Sequence, residues 1–424
     1  MNVHTDVTYR EIEGRSRQYF ILLAAISVFI ALGLGAAYYM EHHGHYITGM
    51  SNQIVWGIPH VFAVFLIIAA SGALNIASIA SVFERTLYKP LARMSGLVAL
   101  ASLAGGLMVL VLDLGRPDRL IIAMTTYNFK SIFAWNIFLY TGLFGIVGFY
   151  LWSMMDNRYG ARFYKPAALA TFLWRLALTT GTGSIFGFLV ARDAYNSAIM
   201  APLFIAMSFA FGKAVFLLIL ISTCHLAKRP LGRIVLLRLQ RLTGIVLAAT
   251  CYFVVVQHMT NLYMAERQMV EMFILFGGNV YSFFFWVIQI ILGTIVPLVL
   301  LLYPRLGGNI SAIVLASLLV IIGGIAQLYV IIIGGQSFPL SLFPGMDVMS
   351  TSFDGKIGSY LPTLPEFLLG LSGIAVMVGV VMVAMSALRF LPLSLADTVV
   401  DPDHVHDIID QEDEAVETAD AEMR

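Results

Sequence analysis

Long apolar runs separated by short polar stretches dominate the chain. Ten of these runs are about twenty residues or longer, which is enough to cross a hydrocarbon core of about 30 Å as a helix. Their apolar residues do not alternate with period two, so the runs predict helices rather than the strands of a barrel. The chain is therefore predicted to be an all-α integral membrane protein. The runs are Tyr19–Met40, Ile54–Phe83, Ala92–Asp113, Ser131–Trp152, Ala167–Val190, Ala198–Cys224, Leu239–Tyr263, Val280–Tyr303, Ile310–Ile333 and Phe367–Leu388.

Composition supports a membrane protein. Hydrophobic residues make up 59% of the 424 residues and charged residues 12%, whereas a soluble chain carries about 25% charged residues. The formal net charge is +0, which excludes nucleic-acid binding through a basic surface. The first residues of the chain are polar and lack a signal-peptide cleavage pattern, so the first apolar run is expected to remain as a span.

Lysine and arginine are distributed unevenly between the two sides of the predicted spans. The even-numbered loops and both termini carry most of them, and the positive-inside rule therefore places both termini in the cytoplasm. Asp113, at the end of the third run, then lies at the outer face of the membrane. The odd-numbered loops carry Arg116, Arg119, Lys130, Arg192, Arg267 and Lys356.

Two sequence segments of the first half recur in the second half. Residues 91–98 match residues 239–246 with Arg and Gly in register, and residues 128–135 match residues 279–286 with Asn, Ser and Trp in register. We interpret the matches as an internal repeat, with chance similarity between apolar segments as the alternative. Spans two to five then form a four-helix bundle that spans six to nine repeat in the same orientation, and spans one and ten flank the two bundles.

The repeat divides the chain into seven predicted segments. In chain order they are a cytoplasmic N-terminal segment (1–18), the first span with an outer loop (19–53), the first four-helix bundle (54–190), the second four-helix bundle (191–333), a long outer loop (334–366), the tenth span (367–391) and an acidic, solvated cytoplasmic tail (392–424).

An acidic residue closes the third apolar run and is followed by a turn signal. Asp113 lies where the hydrocarbon ends, and a carboxylate at that depth is costly unless it is paired, solvated or used. Pro117 is a poor continuation for the helix, so the chain is predicted to turn there, and Arg116 is the nearest fixed positive partner for Asp113. In the second half, Asn261 and Met264 occupy the positions of Asp113 and Arg116. The chemistry is therefore expected in the first half alone.

Four further residues are predicted to lie at the same face as Asp113. His60 is about one turn inside the second span, where a histidine can hydrogen-bond a carbonyl group of a bound molecule and exchange a proton with it. The alternative is a helix-end histidine that is bonded to a loop carbonyl. Trp56 precedes His60, and Tyr127 and Asn128 lie in the loop before the fourth span, where ordinary interfacial anchoring is the alternative role.

Ionisable residues within the spans form a second group of candidates. Arg175 and Lys213 fall well inside the fifth and sixth runs, so they must face the bundle interior or a wet cavity. Asp193 is their candidate partner or proton acceptor, with a purely structural ion pair as the alternative. A b-type haem would need His60 and His258 as axial ligands, and we favour a structural or proton-relay role for His258 over haem ligation.

The chain offers no motif for a covalently bound cofactor. Its two cysteines, Cys224 and Cys251, do not form a CxxC or CxxCH motif, so the chain lacks the thiolates for an iron–sulfur cluster and the attachment site of a c-type haem. The loop histidines His42, His43 and His45 are interpreted as solvated side chains. No metal site is predicted.

Several of these features occur together in a known family. Ten spans, a duplicated four-helix unit, Trp56-Gly-Ile-Pro59 at the start of the second span and Leu114-Gly115-Arg116-Pro117 after the third are features in which the chain resembles the NrfD/PsrC family of quinone-interacting membrane subunits. The resemblance covers almost the whole chain. Residues 52–60 and 71–75 are most similar to the DsrP branch, which belongs to the sulfite-reductase-associated DsrMKJOP complex of sulfur metabolism.

The resemblance implies a subunit that binds menaquinone or ubiquinone near the outer face and has no prosthetic group of its own. Such subunits exchange electrons with a periplasmic ferredoxin-like partner that carries 4Fe–4S clusters, in a complex with other membrane and cytochrome subunits. The family's site maps most directly onto Asp113 and Arg116 and more loosely onto His60, Tyr127 and Asn128. Family proposals of proton movement would fall here on Arg175, Asp193 and Lys213.

On this hypothesis the quinone head group lies at the outer end of the first bundle. Asp113 or His60 exchanges the proton, Arg116 fixes the carboxylate, and Tyr127 or Asn128 holds the other carbonyl, with Trp56 beside them. One alternative is a secondary transporter or ion channel, although the spans lack the paired mid-membrane Gly and Pro breaks that mark substrate sites. The other is a passive membrane anchor for a redox partner.

Overall fold

The computed structural model describes residues 7–156, 158, 160–306, 308–339 and 355–400. Within these residues the chain consists of helices and connecting turns, with two isolated bridges as the extended pairings. Part of the predicted outer loop (340–354) and most of the acidic tail (401–424) lie outside the described residues, as do residues 1–6.

Each of the ten predicted spans corresponds to a long helix. Two of these helices contain π-helical stretches, Phe284–Ile295 and Val330–Gly334. The helices are α1 Arg17–His43, α2 Ile58–Ser81, α3 Ala92–Leu112, α4 Leu120–Thr125, α5 Ile132–Met155, α6 Gly160–Phe188, α7 Met200–Leu226, α8 Arg233–Tyr263, α9 Ala265–Phe276, α10 Val280–Leu302, α11 Ile310–Ser337, α12 Leu364–Ala387 and α13 Asp397–Val400.

The helices confirm an all-α membrane protein. In the described part of the chain, 9 helices are long and apolar enough to cross a membrane. Helix α6 is the tenth long helix, and its 29 residues include Arg175 together with several threonines and glycines, which make it less apolar than the others. At 1.5 Å per residue it is roughly 43 Å long, so its length suffices for a span.

Helix α2 lies at the centre of the molecule, and α1 lies at the periphery. The most apolar part of α2 is 94% buried, whereas that of α1 is 17% buried and contacts chiefly α12. The backbones of α2 and α7 meet at Gly72 and Gly212, where a Cβ on Gly72 would overlap the Ser208 carbonyl and a Cβ on Gly212 would overlap the Gly72 backbone. The absence of both side chains therefore permits the two central helices to pack closely.

The two halves make one matching contact at equivalent positions of the predicted repeat. Gly96 in α3 packs against Leu151 of α5, and Gly244 in α8 packs against Leu302 of α10. The two contacts are related by the sequence repeat. Each glycine lies in the first matched segment, and each leucine lies on the helix that contains the repeated Trp of the second matched segment. The arrangement as two parallel four-helix bundles stays a prediction.

Candidate functional site

Side chains from the C-terminal part of the chain hold the start of α2. Pro59 lies in the first turn, where the missing backbone donor of proline costs nothing. Gln336 accepts a hydrogen bond from the Trp56 backbone nitrogen (3.1 Å) and donates one to the Trp56 carbonyl (3.1 Å). The Ile58 nitrogen donates to the Tyr360 hydroxyl at 2.7 Å. These bonds satisfy backbone groups at the helix start and fix the position of the first turns of α2.

The turn after α3 buries Asp113. Asp113 is the residue at the C-terminal end of the helix, and Gly115 follows with a φ of +71°, which glycine adopts without steric cost. Pro117 then begins a short 3₁₀ turn, Pro117–Arg119. The chain therefore leaves α3 as the sequence predicts, and the Asp113 side chain stays inside the bundle.

His60 and Asp113 form a close buried pair. His60 Nδ1 lies 2.7 Å from Asp113 Oδ2, and the Asp113 side chain is 0% exposed against 16% for His60. Neither carboxylate oxygen receives a well-aligned hydrogen bond from the described residues. A buried, poorly solvated carboxylate is stabilised when a proton is shared with it, so the pair is suited to holding one. His60 is therefore the partner of Asp113, a role that the sequence analysis predicted for Arg116.

The predicted ion pair between Arg116 and Asp113 is wrong. Arg116 is exposed and binds Asp118 through two hydrogen bonds of 3.0 Å. The hydrogen bonds from the Arg116 guanidinium lower the pKa of the Asp118 carboxyl. The turn made by Gly115 and Pro117 directs the Arg116 side chain toward Asp118 at the surface, while Asp113 stays inside. Arg116 and Asp113 are therefore close in sequence but are not partners.

A large apolar cavity lies against His60. Its volume is about 430 Å³, within the range of roughly 300–1,000 Å³ that is usual for small-molecule sites. Trp56 lines it, with ring centroids 6.2 Å from His60 and 6.0 Å from Phe186. Asp113 does not line the cavity and lies behind His60. The other lining residues are Val64, Ile67, Leu107, Leu110, Val111, Leu114, Leu120, Met124, Phe133, Asn136, Ile137, Tyr140, Thr141, Ile185 and Ile332.

Three polar residues of the cavity wall were not identified from the sequence: Asn136, Tyr140 and Thr141. Asn136 donates hydrogen bonds to the carbonyls of Ile132 (2.9 Å) and Gly181 (3.0 Å). The Tyr140 hydroxyl lies 3.2 Å from the hydroxyl of Thr182. A spacing of four residues places Asn136 and Tyr140 on one face of α5, and this periodicity within an apolar run is the signal that could have revealed them.

The structure does not bring Tyr127 and Asn128 into the cavity. Tyr127 is 42% exposed and its ring packs edge-on against Phe138 at 5.1 Å. The Asn128 side chain accepts a hydrogen bond from the Lys130 backbone nitrogen at 3.0 Å. Their contacts fit the alternative of interfacial anchoring and loop capping.

Arg175 and Lys213 are both buried, as predicted, but Asp193 is not their partner. Arg175 donates to the Ser78 hydroxyl at 3.3 Å, and Lys213 is buried on α7. The guanidinium also lies over the Phe172 ring at 5.0 Å. Asp193 is an exposed residue of the turn after α6 and lies beyond the end of that helix at Phe188, whereas Arg175 lies well inside the helix, which explains the error.

His258 has a buried acidic partner, so the second half also contains a buried histidine–carboxylate pair. His258 Nδ1 lies 2.7 Å from Glu271 Oε2, and the Glu271 side chain is 3% exposed. Asn261, which occupies the position of Asp113 in the repeat, donates to Glu271 Oε1 at 2.6 Å. The acidic group of the second half therefore comes from α9, the helix after α8. His258 and His60 line different cavities.

The chain is similar to known proteins over most of its length. Residues 46–340 match the family model described as polysulphide reductase, NrfD. The chain is 29% identical over 93% of its length to an Hdr-like menaquinol oxidoreductase integral membrane subunit of Archaeoglobus fulgidus, of which 99% is covered. It is 28% identical over 88% of its length to the protein proposed as a dimethyl sulfoxide reductase membrane subunit of Halobacterium salinarum (91% covered). It is 23% identical over 85% of its length to a selenate reductase subunit of Mesobacillus selenatarsenatis (91% covered).

Proposed function

The chain belongs to the NrfD polysulphide reductase family, and on this premise we propose that it is the quinone-reactive membrane subunit of an oxidoreductase complex. The relatives are named as subunits of oxidoreductases or reductases, and the name of the Archaeoglobus protein includes menaquinol. The observation that carries the proposal is the apolar cavity that ends at His60, with Asp113 buried behind it.

The chemistry of the cavity suits a quinone. A menaquinone or ubiquinone combines a flat ring that carries two polar oxygens with a long hydrocarbon tail. Aromatic side chains such as Trp56 and Phe186 supply flat apolar walls, and His60, Asn136 and Tyr140 supply the polar atoms. A few polar groups in a mostly apolar pocket are the usual means by which proteins orient a small molecule.

The short helix α4 suggests how the tail reaches the bilayer. Its Leu120 and Met124 line the cavity, whereas Ile121 and Ile122 on its other side are 70% and 59% exposed. An exposed apolar face at the end of the bundle that carries Asp113 contacts lipid when the chain is in a membrane. On our proposal the head group enters sideways from the membrane beside α4, and the tail remains in the lipid.

His60 is the proposed proton acceptor of the reaction. When a quinol is oxidised, two electrons leave the ring and each hydroxyl group loses a proton. His60 Nε2 takes one of these protons, the other is released to water, and the Asp113 carboxylate stabilises the imidazolium that forms. In the reverse direction the same pair returns the proton to the reduced quinone oxygen. Asp113 is a positioning residue, because it acts through His60 and does not touch the cavity.

The electrons require a partner protein. A 4Fe–4S cluster takes four cysteine ligands, and this chain has 2 cysteines. We propose that a ferredoxin-like protein binds the end of the bundle that carries Asp113, which the positive-inside rule places on the periplasmic side of the inner membrane. Coupling to proton movement is a further part of the proposal, with the buried side chains of Arg175, Lys213 and His258 as candidates and the exposed Asp193 at the surface.

Filling the cavity tests this function. Ile137→Trp places a large ring inside the cavity from α5, and overpacking of this kind costs about 1–3 kcal/mol, so the KM for quinol should rise by about tenfold or more. The matched control is Leu169→Trp, which adds the same ring on α6 at a side chain that is 50% exposed. Turnover is measured in membranes that contain the assembled complex, with short-chain quinols as substrates.

The alternatives give different results in the same membranes. A passive anchor predicts equal quinol turnover for Ile137→Trp and Leu169→Trp, which would contradict the proposal. A transporter or channel predicts that ion flux into vesicles, rather than quinol turnover, responds to the Ile137→Trp change. Our proposal predicts a selective loss of quinol turnover in Ile137→Trp.

Removal of the Tyr140 hydroxyl should weaken quinol binding more than catalysis. Tyr140→Phe keeps the shape of the cavity and removes one polar group, and a net hydrogen bond contributes about 1 kcal/mol, so the KM should rise about fivefold while kcat changes little. Tyr150→Phe is the control, because Tyr150 is buried and bonded to Ser81 but does not line the cavity. An unchanged KM in Tyr140→Phe would exclude Tyr140 from the binding site.

A further inference from the structure

A second, much smaller cavity lies in the second half of the molecule. Its volume is about 20 Å³, enough for a single water molecule. Three buried glutamines line it, Gln257 from α8, Gln289 from α10 and Gln327 from α11, together with His258 and Glu271. Polar groups therefore converge on this cavity from four helices, whereas the wall of the first cavity is mostly apolar.

The acidic group of this cavity is fully engaged by neighbours. Glu271 Oε2 contacts His258 Nδ1 at 2.7 Å, and Oε1 accepts a hydrogen bond from Asn261 at 2.6 Å. Arg267 donates to the Asn261 side-chain oxygen at 3.3 Å and is thereby linked to the His258–Glu271 pair through Asn261. The cluster thus holds one carboxylate and one imidazole in a fixed arrangement, and the Arg267 guanidinium is connected to the carboxylate through Asn261.

The two π-helical stretches found among the described residues both reach this cavity. Phe284–Ile295 carries Gln289, and Val330–Gly334 carries Val330 and Ile331, which also line it. A π-helix has a wider turn than an α-helix, is rare, and is found frequently at functional sites. Two π-helical stretches at one polar cavity, together with its cluster of polar side chains, mark the cavity as a candidate functional site.

The two halves therefore share a chemical motif but differ in the space beside it. The pair His60–Asp113 and the pair His258–Glu271 both have a nitrogen–oxygen distance of 2.7 Å. The space beside the first pair is about 430 Å³, whereas that beside the second is about 20 Å³. The second cavity cannot contain a quinone ring, and its polar lining suits water, which needs two to four polar partners.

We propose that the second cavity is a proton-binding site, separate from the quinone cavity, in which one ordered water molecule serves the His258–Glu271 pair. On uptake, a hydronium ion gives one proton to the pair and becomes water, and the single negative charge of the pair is neutralised. On release, the proton returns to that water. The glutamines orient the water, and Asn261, tied to Arg267, holds the carboxylate in place.

Infrared spectroscopy of the full-length protein in lipid vesicles tests the site without any quinone reaction. A pH titration should show a carboxyl band that changes between its protonated and ionised forms, and this band should disappear in Glu271→Gln but persist in Asp113→Asn. Exchange into water labelled with oxygen-18 should shift a sharp O–H band of an isolated water in the wild-type protein. Because quinone is absent, this result is independent of the proposed quinone function.

Matched glutamine variants keep the test decisive if Glu271→Gln does not fold. Gln289→Leu removes a polar group of the cavity and should abolish the isotope-sensitive water band and shift the midpoint pH of the carboxyl titration. Gln240→Leu is the control, because Gln240 is equally buried in α8 but bonds Leu301 and Gly308 away from the cavity. Equal spectra for Gln289→Leu and the wild-type protein, or a carboxyl band that is unaffected by Glu271→Gln, would overturn the proposal.

Discussion

Asp113→Asn should lower the quinol-dependent turnover of the assembled complex by about 100- to 10,000-fold, the range that a positioned acid–base group contributes. The substitution preserves the shape of the side chain and removes its charge. His60 then loses the carboxylate that lies 2.7 Å from Nδ1 and stabilises its protonated form. The fully buried position of Asp113 means that water does not replace this interaction.

The pH dependence of quinol turnover distinguishes the loss of the Asp113 charge from a structural defect in the variant. Because an imidazolium without its counter-charge is less stable, the acidic limb of the turnover profile should move to lower pH in Asp113→Asn. The control is Asp118→Asn, which removes the exposed partner of Arg116, and surface ion pairs of this kind contribute only about 0–1 kcal/mol. Normal turnover with an unchanged pH profile in an assembled Asp113→Asn complex would contradict the role of Asp113.

Gly72→Ala should prevent or severely impair folding of the bundle. The added methyl group would overlap the Ser208 carbonyl, so α2 and α7, the two most buried of the candidate spans, would have to separate. Overpacking costs about 1–3 kcal/mol even where flexible side chains can yield, and here the obstacle is backbone. The measurement is the yield of monodisperse protein in mild detergent, together with the midpoint of thermal unfolding.

Gly145→Ala provides the comparison for this change. Gly145 lies in α5, and a Cβ there would meet nothing within 4 Å. Because alanine is favoured over glycine in a helix by about 1 kcal/mol, Gly145→Ala should be neutral or slightly stabilising. Equal yields and unfolding midpoints for the two variants would show that the close approach of α2 and α7 does not limit stability.

The sequence predicted the fold well because the bilayer imposes a strong constraint on it. A span needs about twenty apolar residues, and each predicted run corresponds to a long helix. The turn after α3 was also predictable, since Pro117 begins the short 3₁₀ turn there, as its residue type indicates. The burial of Arg175 and Lys213 followed from their depth in the spans.

Side-chain partners were harder to predict than helices. Arg116 lies three residues from Asp113, yet the intervening turn separates them, and the true partner His60 comes from another helix. Glu271 is absent from the predicted site residues because the sequence did not reveal helix α9, which carries it into the bundle beside His258. Contacts between helices depend on rotation about the helix axes, and an apolar run leaves that rotation undetermined.

The central claim is that a quinone head group occupies the cavity beside His60. The most direct measurement is photo-crosslinking of an azido-quinone to the full-length protein in native membranes, followed by mapping of the labelled residues. We expect labels on the cavity-lining faces of α3, α4 and α5, around Leu110, Met124 and Ile137, with strong reduction by Ile137→Trp and not by Leu169→Trp. Labels that fall elsewhere on the chain, or labelling that is unaffected by Ile137→Trp, would contradict the claim.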